Sequence, residues 1–167
     1  MGSLGDCVRE YAIQLRKGRI QTAYRGIMNF VSDLRSYLEH KYPDFAVGAV
    51  YFGYMDMTYF AFTPSSLRDR RLKRAIVYLH EECRFELWLA GNSRQIQAEY
   101  VKMLNHKDLG TYVLSQMQPG VDSIIASSIV EQPDFDDPNG LKRNIEVKTM
   151  EFVEDMIRVL DSGLAKS

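Results

Sequence analysis

Cysteine is scarce in this sequence of 167 residues, and this excludes a fold held together by disulfide bonds. The two thiols, Cys7 and Cys83, fit a reducing compartment, so we expect a cytoplasmic protein. Proline and glycine are also infrequent, at 5 and 11 residues, which excludes collagen-like and low-complexity chains. The remaining composition, 46% hydrophobic and 26% charged, is that of a globular protein.

Long hydrophobic runs and an excess of charge of one sign are both missing. No stretch of about 18 apolar residues occurs, so we expect no membrane span and no membrane partner. The first residues do not combine a basic region with an apolar core, so we expect no secretory signal. A net charge of -1 gives no general attraction to polyanions, so we do not expect nucleic acid as a partner.

The N-terminal quarter of the chain has the apolar spacing of helices. Apolar residues recur three and four positions apart in two stretches, which are separated by Lys17 and Gly18. Gly18 can adopt the left-handed conformation that often ends a helix. The pattern therefore predicts helices over residues 6–17 and 20–41, or one long helix with a break.

The rest of the chain contains short runs typical of β-strands, separated by further helices. We predict strands over residues 45–52, 57–63, 75–80, 84–90, 111–117 and 123–130. We predict a helix over about 64–72 with Thr63 as cap, a second with Asn92 or Ser93 as cap, and a third over about 141–160. Without repeats or linkers, one domain should span residues 1–167. Its fold class is α+β, with a mainly antiparallel sheet of about 4–6 strands packed with N-terminal and C-terminal helices.

The register of the hairpin over residues 75–90 can be argued from its apolar side chains. A three-residue loop pairs Tyr78 with Glu86 and leaves the opposite face wholly apolar. A two-residue loop instead pairs Val77 with Glu86 and mixes polar and apolar side chains. We therefore predict the three-residue loop, which puts His80 on the same face as Glu86.

Aromatic and polar side chains are concentrated on the two central hairpins. If the outer faces of both hairpins meet in one sheet, tyrosine and tryptophan can stack there on a ligand. Arg84 and Glu86 can orient each other by a charge-assisted hydrogen bond. In the alternative interpretation, a helix covers the aromatic residues and the charged ones lie at a rim. The predicted ligand-binding residues are Tyr54, Asp56, Tyr59, His80, Arg84, Glu86, Trp88, Asn92 and Arg94, with Arg84 or Arg94 anchoring an anionic or carbonyl group.

Two further motifs have simple structural explanations. The run from His80 to Cys83 contains metal-ligating residue types, but consecutive turn residues cannot all converge on one ion. We therefore predict no metal site and no cofactor. The basic run from Arg68 to Arg74 could hold phosphate groups, but a short solvated helix and its end are the favoured explanation, because the domain as a whole is not basic.

A third motif matches the signature of a large nuclease superfamily. Pro133-Asp134 and Glu146-Val147-Lys148 fit its Pro-Asp…(Asp/Glu)-x-Lys pattern, which holds a divalent metal between two carboxylates. The signature needs Glu and Lys on one face of a strand. The period here is helical, so residues i and i+2 point about 200° apart. This spacing counts against the signature, so a metal-dependent hydrolase or nuclease is kept only as the alternative function.

One stretch of the sequence resembles a known family. Gly53–Phe60 (GYMDMTYF), His80-Glu81 and Arg84–Asn92 (RFELWLAGN) resemble a family of small bacterial proteins catalogued only as a domain of unknown function. The resemblance covers about residues 8–105. It implies a bacterial, cytosolic protein and supplies no catalytic residue.

The function that we predict is therefore binding rather than an identified reaction. The sequence favours a small-ligand or protein-binding domain whose aromatic and polar pocket lies on the two hairpins. A third interpretation is a homodimer in which an exposed strand edge pairs with a second copy.

Overall fold

The computed structural model describes residues 2–162, and it begins with two helices that confirm the N-terminal prediction. Helix α1 spans Leu4–Arg16 and helix α2 spans Arg19–Lys41. Ser3 caps α1 by accepting a hydrogen bond from the backbone of Asp6. Gly18 separates the helices in the left-handed conformation, with φ 76°.

A five-stranded antiparallel sheet forms the centre of the fold and confirms the predicted α+β class. Its strands pair in chain order: β1 Ala46–Val47, β2 Met57–Thr63, β3 Leu72–Leu79, β4 Arg84–Gly91 and β5 Ile125–Glu131. Every strand pairs antiparallel with its sequence neighbour. The sheet is therefore a meander, and residues close in sequence on β2, β3 and β4 lie side by side.

Three further helices lie between and after these strands. They are α3 Ser65–Arg68, α4 Arg94–Leu104 and α5 Pro138–Asp161. Of the two predicted caps of α4, Ser93 is the one that caps it, through a hydrogen bond from the backbone of Ile96. The prediction of Thr63 as a cap for α3 is wrong. Thr63 stays in β2, and its hydroxyl accepts a hydrogen bond from the backbone of Arg74.

The first hairpin is less regular than predicted. The strand expected over 45–52 reduces to β1 and a single bridge between Tyr51 and Tyr59. Gly53 turns the connecting loop with φ 79°, and a Cβ there would lie 2.0 Å from the carbonyl oxygen of Met57. The loop thus folds tightly back on β2 at a position that only glycine fits. The run over 111–117 likewise yields only one bridge, from Leu114 to Ile125.

The predicted register of the second hairpin is wrong by one residue. The strands pair Val77 with Glu86 and Tyr78 with Phe85, and the loop holds four residues rather than three. Tyr78 is a core residue: it is 3% exposed, and its ring lies 5.0 Å from that of Phe85. The predicted register put Tyr78 on the polar face with Glu86. Most of its ring surface is apolar, so the ring packs in the core instead.

One face of the sheet carries the hydrophobic core. The largest contributions come from Phe30, Val31, Leu34 and Leu38 of α2, Leu141, Ile145, Phe152 and Met156 of α5, and Phe60, Ile76, Phe85, Leu87 and Leu89 of the strands. Since side chains alternate along a strand, the other face carries the intervening residues. Helices α2 and α5 leave that second face open.

Arg74 is the largest side chain that is fully buried. Its guanidinium donates hydrogen bonds to the carbonyl oxygens of Phe62 at 2.6 Å and Thr149 at 3.0 Å. Burial lowers the pKa of Arg74 to about 9. The side chain therefore ties β2 to α5 within the core. None of the described helices is both long and apolar enough to cross a membrane.

Candidate ligand-binding site

The open face of the sheet contains a cleft of about 390 Å³. Its floor is formed by Ala75 and Val77 of β3 and by Ala90 of β4. Tyr59 on β2 and Trp88 on β4 line it from the strands on either side of β3. We call this site the cleft; its volume lies within the range of small-molecule sites, roughly 300–1,000 Å³.

Small side chains beside one large ring explain why the cleft exists. A cross-strand row runs from Ala61 through Ala75 and Trp88 to Ala126. Residues paired across antiparallel strands have Cβ atoms about 5 Å apart, so the indole rises above its neighbours. The alanines leave the ring accessible from the side.

The indole of Trp88 is held by its own strand. Its Nε1 donates to Oε1 of Glu86 at 2.8 Å, and Oε2 of Glu86 accepts from Nε of Arg84 at 2.7 Å. The hydrogen bond predicted between Arg84 and Glu86 is confirmed. Since the single polar atom of the indole is already satisfied, Trp88 presents its ring rather than a hydrogen-bond donor.

Two tyrosines form the opposite wall. Tyr51 and Tyr59 exchange backbone hydrogen bonds of 2.8 and 3.0 Å, and their ring centroids lie 5.1 Å apart. Burial raises the pKa of Tyr51, with a smaller contribution from Asp56. The hydroxyl of Tyr51 therefore stays protonated at neutral pH and can donate.

The two ends of the cleft differ in charge. Lys73 on β3, Arg94 at the start of α4 and Asp122, which is paired with Arg94, lie at one end, and Asp56 lies at the other. Backbone hydrogen bonds, the largest from Tyr54, lower the pKa of Asp56 and keep its carboxylate ionised. A ligand thus meets positive charge at the α4 end and negative charge at the loop end.

Arg94 already has partners within the protein. Its guanidinium donates to the carbonyl of Val121 and to Oε1 of Gln97, and it lies 3.3 Å from the carboxylate of Asp122. Lys73 is exposed and has no hydrogen-bond or ion-pair partner among residues 2–162. Lys73 is therefore the more available cation of the two.

Not all of the predicted site residues reach the cleft. Asp56, Tyr59, Trp88 and Arg94 line it, while Arg84 and Glu86 support the indole. Tyr54 projects from the first hairpin loop and is 89% exposed, and Asn92 is exposed beyond the end of β4. These two side chains flank the cleft rather than line it.

The expectation that His80 shares the face of Glu86 is wrong, because the register shift turns it to the other side. Its Nε2 lies 2.8 Å from the hydroxyl of Thr58, and its ring stacks on Tyr24 of α2 at 6.1 Å. Burial lowers the pKa of His80, although Asp56 opposes this. His80 belongs to the helix-covered side of the sheet.

The sequence-based argument missed Lys73 and the residues that hold α4 in place. Gln97 is 3% exposed and donates to the carbonyls of Val121 and Ser123. A Cβ at Gly91 would lie 2.7 Å from the nitrogen of Gln97, so glycine allows α4 to start directly beside β4. The sequence signal for this close packing of α4 was Gly91, a glycine at the end of a strand before a helix cap.

The nuclease signature does not converge on a site. Glu146 accepts hydrogen bonds from Tyr37 of α2 and from Tyr42 directly after this helix, whereas Lys148 donates to the carbonyl of Ile129 on β5. Both residues lie on α5, as their helical period predicts. In the part of the chain that the structure describes, no three His, Cys, Asp or Glu residues are grouped to hold a metal ion.

Comparison with known proteins identifies the family. The model of the domain of unknown function DUF7000 matches residues 4–160. The chain belongs to this family. The match confirms the resemblance seen in the sequence and extends it from about residue 105 through β5 into α5. No curated protein and no solved structure matches this DUF7000 chain.

Proposed function

We propose that this protein binds a small planar molecule in the cleft, between Trp88 and Tyr59. The main support for the proposal is the fixed orientation of the indole. Glu86, itself bound by Arg84, holds Trp88 beside a floor of alanines. A half-buried aromatic ring that is rigidly held loses little entropy when it stacks on a guest. Flat, unsaturated molecules gain most from such a surface.

Trp88 also supplies the test, since it is the only tryptophan in the sequence. We expect planar aromatic fragments to change its emission and to shift its one indole N–H signal in NMR spectra. A library of such fragments that leaves both signals unchanged at millimolar concentration contradicts the proposal.

A matched pair of substitutions locates the binding. Ala75→Leu fills the floor of the cleft and should abolish the response of Trp88 to a fragment. Ala126→Leu adds the same side chain in the same cross-strand row, on the far side of Trp88 and outside the cleft. It should leave the response intact. Equal effects of the two changes would place the fragment elsewhere.

Self-association is a second candidate, which we propose for α1 because this helix has no buried residue. Leu4, Val8 and Tyr11 are 81%, 55% and 57% exposed. A helix of 13 residues is marginal in water without tertiary packing, so contact with another surface would stabilise it.

We propose that α1 packs against α1 of a second copy in the antiparallel orientation. The apolar stripe Leu4, Val8, Tyr11 and Leu15 has the spacing four, three, four, which is the same in both directions. Antiparallel pairing sets Leu4 against Leu15 and Val8 against Tyr11, as an isologous interface requires.

Charge favours the same orientation. The first half of α1 contains Asp6, Glu10 and Arg9, which is paired with Asp6, so its net charge is -1, and the end of the helix contains Arg16 followed by Lys17. Antiparallel pairing brings the acidic half of one helix near the basic end of the other. The edge strand β5 is a weaker candidate, because Leu114 already bridges to its first residue.

Light scattering on the purified protein tests this dimer. We expect a dimer at about 100 µM, and Val8→Glu should convert it to a monomer because it puts a charge into the interface. Ile13→Glu is the control, since Ile13 is exposed on α1 outside the stripe. A monomeric wild-type protein contradicts the proposal.

A further inference from the structure

We infer that the ligand of the cleft is a planar aromatic monoanion whose acidic group binds Lys73. This inference rests on the proposed function and adds the chemical class of the ligand. The evidence is the position of Lys73 in the cleft and the absence of an ion-pair or hydrogen-bond partner for it among residues 2–162. Lys73 lines the cleft, and its cross-strand partner is Ala90, which offers no polar group.

The number of available cations limits the ligand to one negative charge. Arg94 is paired with Asp122 and is also bound to the carbonyl of Val121, so Lys73 is the uncommitted cation among the described residues that line the cleft. Asp56 repels further negative charge at the loop end of the cleft. The cleft therefore disfavours polyphosphates and nucleic acid and suits a single carboxylate or sulfonate.

The two aromatic walls are not directly opposite each other. Tyr59 pairs with Val77 of β3, whereas Trp88 pairs with Ala75, so the two rings are two positions out of register on strands two spacings apart. Their backbone positions are therefore separated by a diagonal of about 12 Å. A flat guest that contacts both rings has to span the floor along this diagonal, over Ala75 and Val77.

The length of the cleft agrees with a bicyclic ring bearing an acidic group. Lys73 and Val77 mark positions four residues apart on β3, about 13 Å along the strand. Asp56 lies beyond the far end of this floor. The anionic group therefore binds at the α4 end, and the uncharged edge of the ring system points toward Asp56.

The test compares 2-naphthoate with 2-naphthamide, which has the same rings and no charge. Both are titrated against the indole N–H signal of Trp88 in the full chain. We expect the wild-type protein to bind 2-naphthoate about tenfold more tightly than the amide, as a charge-assisted hydrogen bond allows. Added salt should weaken the binding of the acid and leave that of the amide unchanged.

Two lysine variants complete the experiment. Lys73→Gln should remove the preference of about tenfold for the acid, so that the acid and the amide bind equally, and should leave the affinity for the amide unchanged. Lys102→Gln removes an exposed lysine of α4 outside the cleft and should keep the preference. Equal affinity of the wild-type protein for both compounds, or an unchanged preference in Lys73→Gln, overturns the inference and leaves the binding function standing. If neither compound perturbs Trp88, both the inference and the proposed function fail.

Discussion

The indole nitrogen of Trp88 donates a 2.8 Å hydrogen bond to Glu86, two residues earlier on the same strand. Glu86 is 7% exposed, and its other oxygen accepts from Arg84. A buried carboxylate with both oxygens bound is a rigid support for a ring. The orientation of Trp88 is therefore set by β4 itself, before any ligand arrives.

Replacing Glu86 by glutamine tests this support. The amide can still accept from one partner, but its NH₂ group then faces the other donor. We expect Glu86→Gln to shift the indole N–H signal of Trp88 and to reduce the free energy of unfolding by about 1–3 kcal/mol, measured by denaturant titration. Glu81→Gln, at an exposed position in the hairpin loop, is the control. An indole signal at the same position in Glu86→Gln and wild type would show that the hydrogen bond does not hold the ring.

Gly91 and Gly26 should respond in opposite ways to alanine. At Gly91 a Cβ meets the backbone of Gln97 at 2.7 Å, so Gly91→Ala pushes α4 from the end of β4 and lowers the melting temperature. At Gly26, inside α2, a Cβ meets nothing within 4 Å. Gly26→Ala should stabilise the protein by about 0.5–1 kcal/mol. Differential scanning calorimetry checks both signs, and a stable Gly91→Ala variant contradicts the close approach of α4.

His80 should make the protein sensitive to mild acid. Burial lowers its pKa in the folded state, so the unfolded chain binds more protons between this lowered pKa and the ordinary value of 6.5. Stability is therefore complete above about pH 6.5 and decreases as the pH falls below it. Glutamine in His80→Gln can keep the contact with Thr58. The melting temperature of this variant should decrease less between pH 7.5 and pH 5.5 than that of the wild-type protein.

The control for this pH dependence is His106→Gln, because His106 is exposed. This variant should follow the wild-type profile. A His80→Gln profile identical to that of wild type would mean that other groups cause the loss of stability in acid.

The helices and one strand face of this fold could be predicted from the sequence because their patterns are local. The break at Gly18, the cap at Ser93 and the shared face of Glu86 and Trp88 each depend on residues a few positions apart. Helical spacing also predicted correctly that Glu146 and Lys148 diverge.

The register of β3 against β4 could not be predicted in the same way. It depends on whether Tyr78 is buried, and Tyr78 packs against Phe85 on the next strand and also against Phe135, more than fifty positions later, whose ring lies 5.7 Å away. The availability of Lys73 is also a non-local property, since it follows from the pairing of Arg94 with Asp122. Long-range packing thus fixed the details of the candidate site.

A crystal structure of the protein grown with 2-naphthoate tests the central claim most directly. The account predicts density for a flat ring system over Ala75, between Trp88 and Tyr59, with its carboxylate within hydrogen-bond distance of Lys73. An empty cleft at saturating concentration, or the compound bound at another surface, would contradict it.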